Sequence, residues 1–418
     1  MIKQFYFKNF KCFKDARINV ENVTFLIGTN ASGKTNAIEG MMILSELVTG
    51  RDISAILDGS KNVEGMIRGG AKGCGRLGNA SFGLGCLIQY NDQIDIRYEI
   101  EILVSERAEV KAESLTEIKD GKERMMFQTK APVEKSGDIS VTCNNGRRGK
   151  NPDISCIRFS SVISQIISKL STETQYGKRI VSYANTIVSG LHQILFLSPE
   201  THLMRSYASI NDYRLKVDAS NISAVLFKLC EANESKKILL DIMRSLPENE
   251  IMDIEFEKGP LNDVILFLDE KYGNGVEKVD AIRLSDGTLR CLAIMAALLS
   301  VEKNSMVVIE EFDNGVHPGR AKELVRVVSR VARERDVDVV ITTHNAVMLN
   351  ALSKEDIMGV NVVYREDNGD GSIMPFISIP NMPRLLASGK LGDVFSNDEI
   401  LNYIKGTLPR IDYSWLEV

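Results

Sequence analysis

An α/β fold is the class this sequence predicts, from three observations. A short apolar run, Val23-Thr-Phe-Leu-Ile27, leads into Gly28-Thr-Asn-Ala-Ser-Gly-Lys-Thr-Asn36, and a helical apolar period follows from Ala37 to Val48. Other runs too apolar to face water, at 193–199, 305–311 and 338–344, are interspersed with helical patterns. Between residues 80 and 104, two β runs flank the turn Asn91-Asp92 and mark a separate hairpin region.

In chain order, residues 2–8 alternate as a strand and 23–27 form a buried one. After the pair at 80–104, further strands are expected to about residue 143. Residues 158–192 carry a helical pattern, 193–199 a buried strand and 219–247 a second helical stretch. A hairpin is expected over 252–273, then a turn into a helix from Leu284, a strand over 305–311 that includes Glu310 and Glu311, a helix over 319–335 and the strand 338–344. The expected division is 1–155, 156–250 as a helical insertion, and 251–418. No internal repeat or sustained heptad run is present.

The bulk composition excludes several classes. The 418 residues are 44% hydrophobic and 26% charged, enough for a large core in one elaborated domain or two lobes. A net charge of −5 rules out a global basic field for nucleic acid, so such a contact needs a local patch. The loops Arg68–Arg76 and Arg147–Lys150 are candidates, although solvated turns explain them as well. No apolar run reaches the roughly 20 residues of a membrane helix, so no membrane partner is expected. The opening MIKQFYFKNFKCFKD interleaves charges with aromatics and reads as no signal peptide. Seven cysteines without a CxxC, and four histidines without ligand spacing, point to free thiols in a reducing cytoplasm.

Four motifs carry chemistry. Gly28–Thr35 matches G-x-x-x-x-G-K-[ST], with the strand before it and the helix after it that this pattern requires. Its glycines let backbone N–H groups curl around phosphates, with Asn30, Ser32, Gly33 and Asn36 in or beside the cradle. Lys34 can reach β- and γ-phosphates, and the Thr35 hydroxyl can ligate Mg²⁺. LSDGTLR at 284–290 places Ser285 and Gly287 at a helix start, which suits either an anion or an ordinary N-cap. MVVIEEFDNGVHP at 306–318 ends an apolar strand in two acids. Beside a phosphate loop, Glu310 is assigned to the Mg²⁺ shell and Glu311 to the attacking water, with a solvated strand end as the bland alternative. In VVITTHN, His344 ends a buried strand where an imidazole could reach a γ-phosphate. His317 precedes Pro318 at a helix start and reads as structural.

The order of these motifs resembles the ABC-type ATPase heads of the SMC and RecF kind. By that resemblance Gly28–Thr35 is Walker A, Leu284–Arg290 the signature, Met306–Glu311 Walker B and His344 the switch histidine. The fold implied is an ABC-type P-loop NTPase head with a mixed core sheet, an antiparallel β lobe and a helical insertion. Catalytic roles then fall on Glu311, His344 and Lys34. Nucleotide contacts fall on Gly28, Asn30, Ser32, Gly33, Lys34, Thr35, Asn36, Ser285 and Gly287, and metal contacts on Thr35 and Glu310. Three departures stand out: Glu310 where the family has Asp, Ser-Asp-Gly where it has Ser-Gly-Gly, and no placed Q-loop glutamine among Gln89, Gln128 and Gln193.

A narrower group, the stand-alone AAA family ATPases of the OLD/PtuA/AriA-like kind, shares LSDGT, EEFDNGVHP, TTHN and the tail LLASGKLGDVF. Many of these belong to Septu-type, PARIS-type and retron-related anti-phage systems. The resemblance implies ATP and Mg²⁺ as ligands, a homodimer or higher oligomer closed head to tail on ATP, and a separate effector such as a nuclease or toxin. A RecF-like DNA clamp and a non-hydrolysing scaffold are the competing readings. A transporter subunit fits poorly because of the long region 50–250. The tail RIDYSWLEV, with Trp415, is a candidate docking strip.

Overall fold

The computed structural model describes residues 1–60, 63, 64, 67, 69–133, 136–147, 149–246, 250–380, 382, 392 and 399–404. The expected family tail at 385–395, apart from Gly392, and the Trp415 strip lie outside these residues, as do Arg68 and Arg148. The first part of the chain forms β1 (Ile2–Phe10), β2 (Phe13–Asn19), β3 (Val23–Ile27), α1 (Lys34–Leu47), α2 (Ile53–Asp58), the short pair β4 (Gly59–Ser60) and β5 (Val63–Glu64), β6 (Ser81–Asn91) and β7 (Ile94–Leu103). It continues with β8 (Glu109–Lys119), β9 (Lys122–Thr129), β10 (Asp138–Cys143), β11 (Asp153–Ile157), α3 (Val162–Lys169), α4 (Gln175–His192), β12 (Ile194–Leu197), β13 (Ala208–Ser209), α5 (Ile222–Cys230) and α6 (Asn233–Ser245). The remainder is β14 (Ile251–Lys258), β15 (Asp263–Tyr272), β16 (Gly275–Asp280), α7 (Asp286–Ser300), β17 (Met306–Ile309), α8 (Pro318–Arg335), β18 (Asp338–Thr343), β19 (Val360–Arg365) and β20 (Gly371–Pro375).

One 14-stranded mixed sheet runs β11-β10-β9-β8-β7-β6-β1-β2-β20-β19-β3-β18-β17-β12. Its β11-to-β2 portion is an antiparallel lobe. From β19 to β12 every pairing is parallel. Parallel strands need cover on both faces, and the two hydrophobic clusters supply it. Phe25, Val307, Ile309 and Ile341 join the cluster containing α5–α8 residues, while Leu26, Val308 and Val340 join the one containing α1, α3 and α4. Each such strand therefore reads as an unbroken apolar run. This is a mixed α/β architecture, the class expected from the sequence. The segment 156–250 contributes helices to both clusters, with core strand β12 between them.

Several expectations need correction. The helical stretch 158–192 divides into α3 and α4 where Thr174 caps α4, its side chain accepting from the Gly177 N–H. Hydroxyl residues favour such caps over helix interiors. Strands β2, β11 and β16 were not marked by apolar alternation; they hold Lys14, Asp15 and Arg17, Asp153, and Glu277 and Lys278. The strand placed over 305–311 stops at Ile309. Among the described residues, no helix is long and apolar enough to cross a membrane.

Glu113 of β8 locks the lobe to α3. Its fully buried carboxylate accepts from the N–H groups of Val162 and Ile163, both at 2.6 Å, and from the Tyr98 hydroxyl at 3.0 Å. Burial pushes its carboxyl up to about 7, against the pull of those donors. Between its unfolded pKa and about 7 the folded chain holds a proton that the unfolded chain lacks. This contribution to stability is complete at the acid end and is lost as pH rises through 7. Melting curves of native and Glu113→Gln protein from pH 5 to 8 should show the native Tm falling relative to the variant across that window. Parallel Tm-against-pH curves would contradict the assignment.

Candidate functional site

Parallel pairing brings three loop-bearing strand ends together. Ile27 pairs with Thr343, and Ile309 with Ile341, so β18 lies between β3 and β17. The backbone therefore delivers the P-loop, His344 and the Glu310–Glu311 pair side by side at the carboxyl ends, where open α/β sheets bind ligands. An open cavity of about 340 Å³ forms there, lined by Asn30–Asn36, Glu310, Glu311, Thr342–His344 and Arg365. The two acids and the histidine of the sequence reading thus meet the P-loop. Ser285 and Gly287 do not line this cavity.

Close packing dictates the glycines of the P-loop. A Cβ on Gly28 would stand 2.1 Å from the Val363 carbonyl oxygen of β19. Gly33 has φ +122°, and a Cβ there would meet Cys12 Sγ at 2.8 Å. Lys34 Nζ donates to the carbonyls of Gly28 at 2.6 Å and Thr29 at 2.9 Å, folding the loop around its own ammonium. Burial pulls the Lys34 pKa down, opposed by the Asp313 and Glu311 carboxylates. The Ser32 hydroxyl is buried with no partner among the described residues. An orphaned donor inside a ring of backbone N–H groups suits an anionic ligand, and the adjacent Thr35 and Glu310 are oxygen donors of the kind Mg²⁺ takes.

The acids lie just beyond the strand end at Ile309, and Glu311 is in a turn rather than in the strand expected to include it. Glu310 still pairs, its N–H donating to Leu197 O at 2.9 Å, but Glu311 has φ +49°. The Glu311 N–H donates to Thr342 Oγ1 at 2.9 Å, and the Phe312 N–H to Thr342 O at 3.1 Å. Asn314 Nδ2 donates to the Glu311 carboxylate at 3.1 Å. Both side chains line the cavity, Glu311 from a left-handed backbone position. Asp313, almost fully buried, lies 3.6 Å from His344 Nδ1 and can orient the ring so that Nε2 faces outward. His317 is the N-cap of α8, Nδ1 accepting from the Gly319 N–H at 3.3 Å. That is the structural role expected of it.

Ser285 is the N-cap of α7, its hydroxyl oxygen accepting from the Thr288 N–H at 3.1 Å. The aspartate that departs from the family signature is neutralised. Asp286 accepts from Arg205 Nη2 at 2.6 Å, and Arg205 Nη1 also donates to the carbonyls of Ile282 at 2.6 Å and Leu284 at 2.7 Å. The Arg205 bond, followed by one from Thr201, holds the Asp286 carboxyl below its ordinary range. An extra carboxylate beside a helix N-terminus is therefore offset by a guanidinium.

Sequence reasoning assigned no role to Arg205 and Arg365, which lie outside the four motifs, or to Asp313 and Thr342, which lie inside two of them. Arg365, at the end of β19, donates to Ala31 O of the P-loop at 3.1 Å and to Gly369 O at 3.0 Å. A basic residue closing the β-like run 360–365 was the signal that could have found it.

Residues 172–350 match the family model described as "AAA domain, putative AbiEii toxin, Type IV TA system". No curated protein matches the chain. Among solved structures, an SMC head bound to the C-terminal winged-helix domain of ScpA is similar at 12% identity and TM-score 0.49, with 89% of this chain and 97% of that chain covered. The SMC head domain from Thermotoga maritima gives 15% identity, TM-score 0.41 and 90% and 98% coverage. A Pyrococcus furiosus SMC head with an extended coiled coil, bound to the C-terminal domain of ScpA, gives 12%, 0.45 and 89% and 95%. No role is read from likenesses this distant. Gly28→Ala should cost about 3 kcal/mol through the Val363 clash, measured by urea unfolding. A variant as stable as the native chain would contradict the close approach of β19.

Proposed function

We propose that the chain binds and hydrolyses ATP, and that two copies close head to tail around it. The observation that carries this reading is the convergence of Asn30–Asn36, Glu310–Glu311 and His344 on one cavity through β3, β17 and β18. Lys34 exchanges its two loop carbonyls for β- and γ-phosphate oxygens. Ser32 finds its partner on a phosphate. Glu311, steadied by Asn314 and Thr342, accepts a hydrogen bond from water and aims it at the γ-phosphate; His344 donates to the same phosphate. Mg²⁺, held by Thr35 and Glu310, would neutralise phosphate charge. Ser285 and Gly287 of one copy face the γ-phosphate held by the other, so ATP joins the copies and hydrolysis releases them.

This switch acts as a sensor and regulatory scaffold for a separate effector, a nuclease or toxin, in bacterial anti-phage defence. The sequence carries no recognisable nuclease motif. The matched family's description names a toxin and a toxin–antitoxin system, which fits a chain working beside a partner. A cytoplasmic setting belongs to the same proposal and draws on seven free cysteines. The DNA-clamp alternative draws less support, since Arg76 of its first basic loop is ion-paired to Asp370.

Phosphate release should fall to background in Lys34→Ala; equal release from native and variant protein would favour a non-hydrolysing scaffold. Glu311→Gln should double its mass with ATP in sedimentation, and an unchanged mass would remove the sandwich. Arg365→Ala should weaken binding of a fluorescent ATP analogue about tenfold, the scale of one charge-assisted phosphate contact. Unaltered affinity would exclude Arg365 from the nucleotide site.

A further inference from the structure

We propose that Arg320 and Thr288 are positioning residues that fix the Ser285 hydroxyl as an outward donor to the γ-phosphate bound by a second copy of this chain. The inference rests on the head-to-tail reading and adds to it the machinery that orients the signature serine.

The argument concerns the direction of a hydrogen-bond chain. Arg320 Nη1 lies 3.2 Å from Thr288 Oγ1, and Thr288 Oγ1 lies 2.9 Å from Ser285 Oγ. A guanidinium only donates, so Thr288 Oγ1 accepts at the Arg320 end. Thr288 is fully buried, and Ser285 Oγ is the acceptor within reach of its hydroxyl among the described residues. A buried hydroxyl proton left without an acceptor is costly, so Thr288 donates to Ser285. Ser285 Oγ also accepts from the Thr288 N–H at 3.1 Å. Both of its lone pairs are then occupied, and its own proton points away from the protein. Ser285 is exposed. It therefore meets an incoming anion as a donor, with no lone pair turned toward the phosphate.

Position strengthens the inference. Arg320 is nearly fully buried in the first turn of α8, a helix that begins directly after the turn carrying Glu311. A Cβ on Gly287 would lie 3.2 Å from Gly315 O of that turn and 3.6 Å from Arg320 Nη1. The signature start is thus seated on the segment that follows the acids, and one guanidinium joins them.

The test uses full-length Glu311→Gln protein and ATP-driven dimerisation by sedimentation, with a fluorescent ATP analogue reporting nucleotide binding to the P-loop half of the site. Thr288→Val in that background should raise the ATP concentration for half-dimerisation about tenfold or more. Thr288→Ser, which keeps the hydroxyl, should restore it. Because Thr288 acts through Ser285, Thr288→Val should add nothing once Ser285→Ala is present, a non-additivity that general destabilisation of α7 does not produce. Arg320→Met should resemble Thr288→Val. Dimerisation of Thr288→Val at the parent's ATP concentration overturns the relay. So does a Thr288→Ser variant as impaired as the valine, or full additivity with Ser285→Ala. If the Glu311→Gln parent binds the analogue yet does not dimerise, the sandwich itself falls and takes the relay with it, an outcome distinct because it appears in the parent.

Discussion

Parallel pairing of β18, with β3 on one side and β17 on the other, is the constraint on which the site depends. Side chains from three distant stretches, near residues 34, 310 and 344, can share one cavity only if their strands run the same way and end at the same level. The register provides this. Once it is set, short turns suffice to bring each group to the cavity, Glu311 from a left-handed backbone position. The apolar runs of these strands, buried on both faces, are what hold the register under thermal load.

Much of this was legible in the sequence because P-loop chemistry is local. Gly28–Thr35 encodes its own geometry: glycine where a neighbouring carbonyl leaves no room, lysine and threonine at the helix start. The buried strands at 23–27, 306–309 and 338–343 were equally plain, since a doubly covered strand has no polar alternation to confuse it. The charge-bearing strands β2, β11 and β16 carried no such mark, because strands exposed on one side tolerate Lys, Arg and Glu. Nor could sequence reveal pairs such as Arg205–Asp286 or Asp313–His344, whose members are brought together by the fold and not by spacing.

The departures from the family pattern take on different meanings in three dimensions. Asp286 is offset by Arg205 and leaves the helix start fit for an anion. Glu310 stays in line with its strand through the Leu197 carbonyl and lines the cavity. Among the described residues no glutamine lines the cavity, and Arg365 does.

The seam between the antiparallel lobe and the parallel core has a mechanical consequence. β2 and β20 pair at one position, Phe13 with Gly371, reinforced by the Gly371 N–H on Cys12 O at 2.8 Å. Cys12 and Phe13 are also the side chains packed under Gly33 of the P-loop. The junction of lobe and core and the floor of the Gly28–Asn36 loop are thus built from the same two side chains, so a change of packing at one is a change of packing at the other.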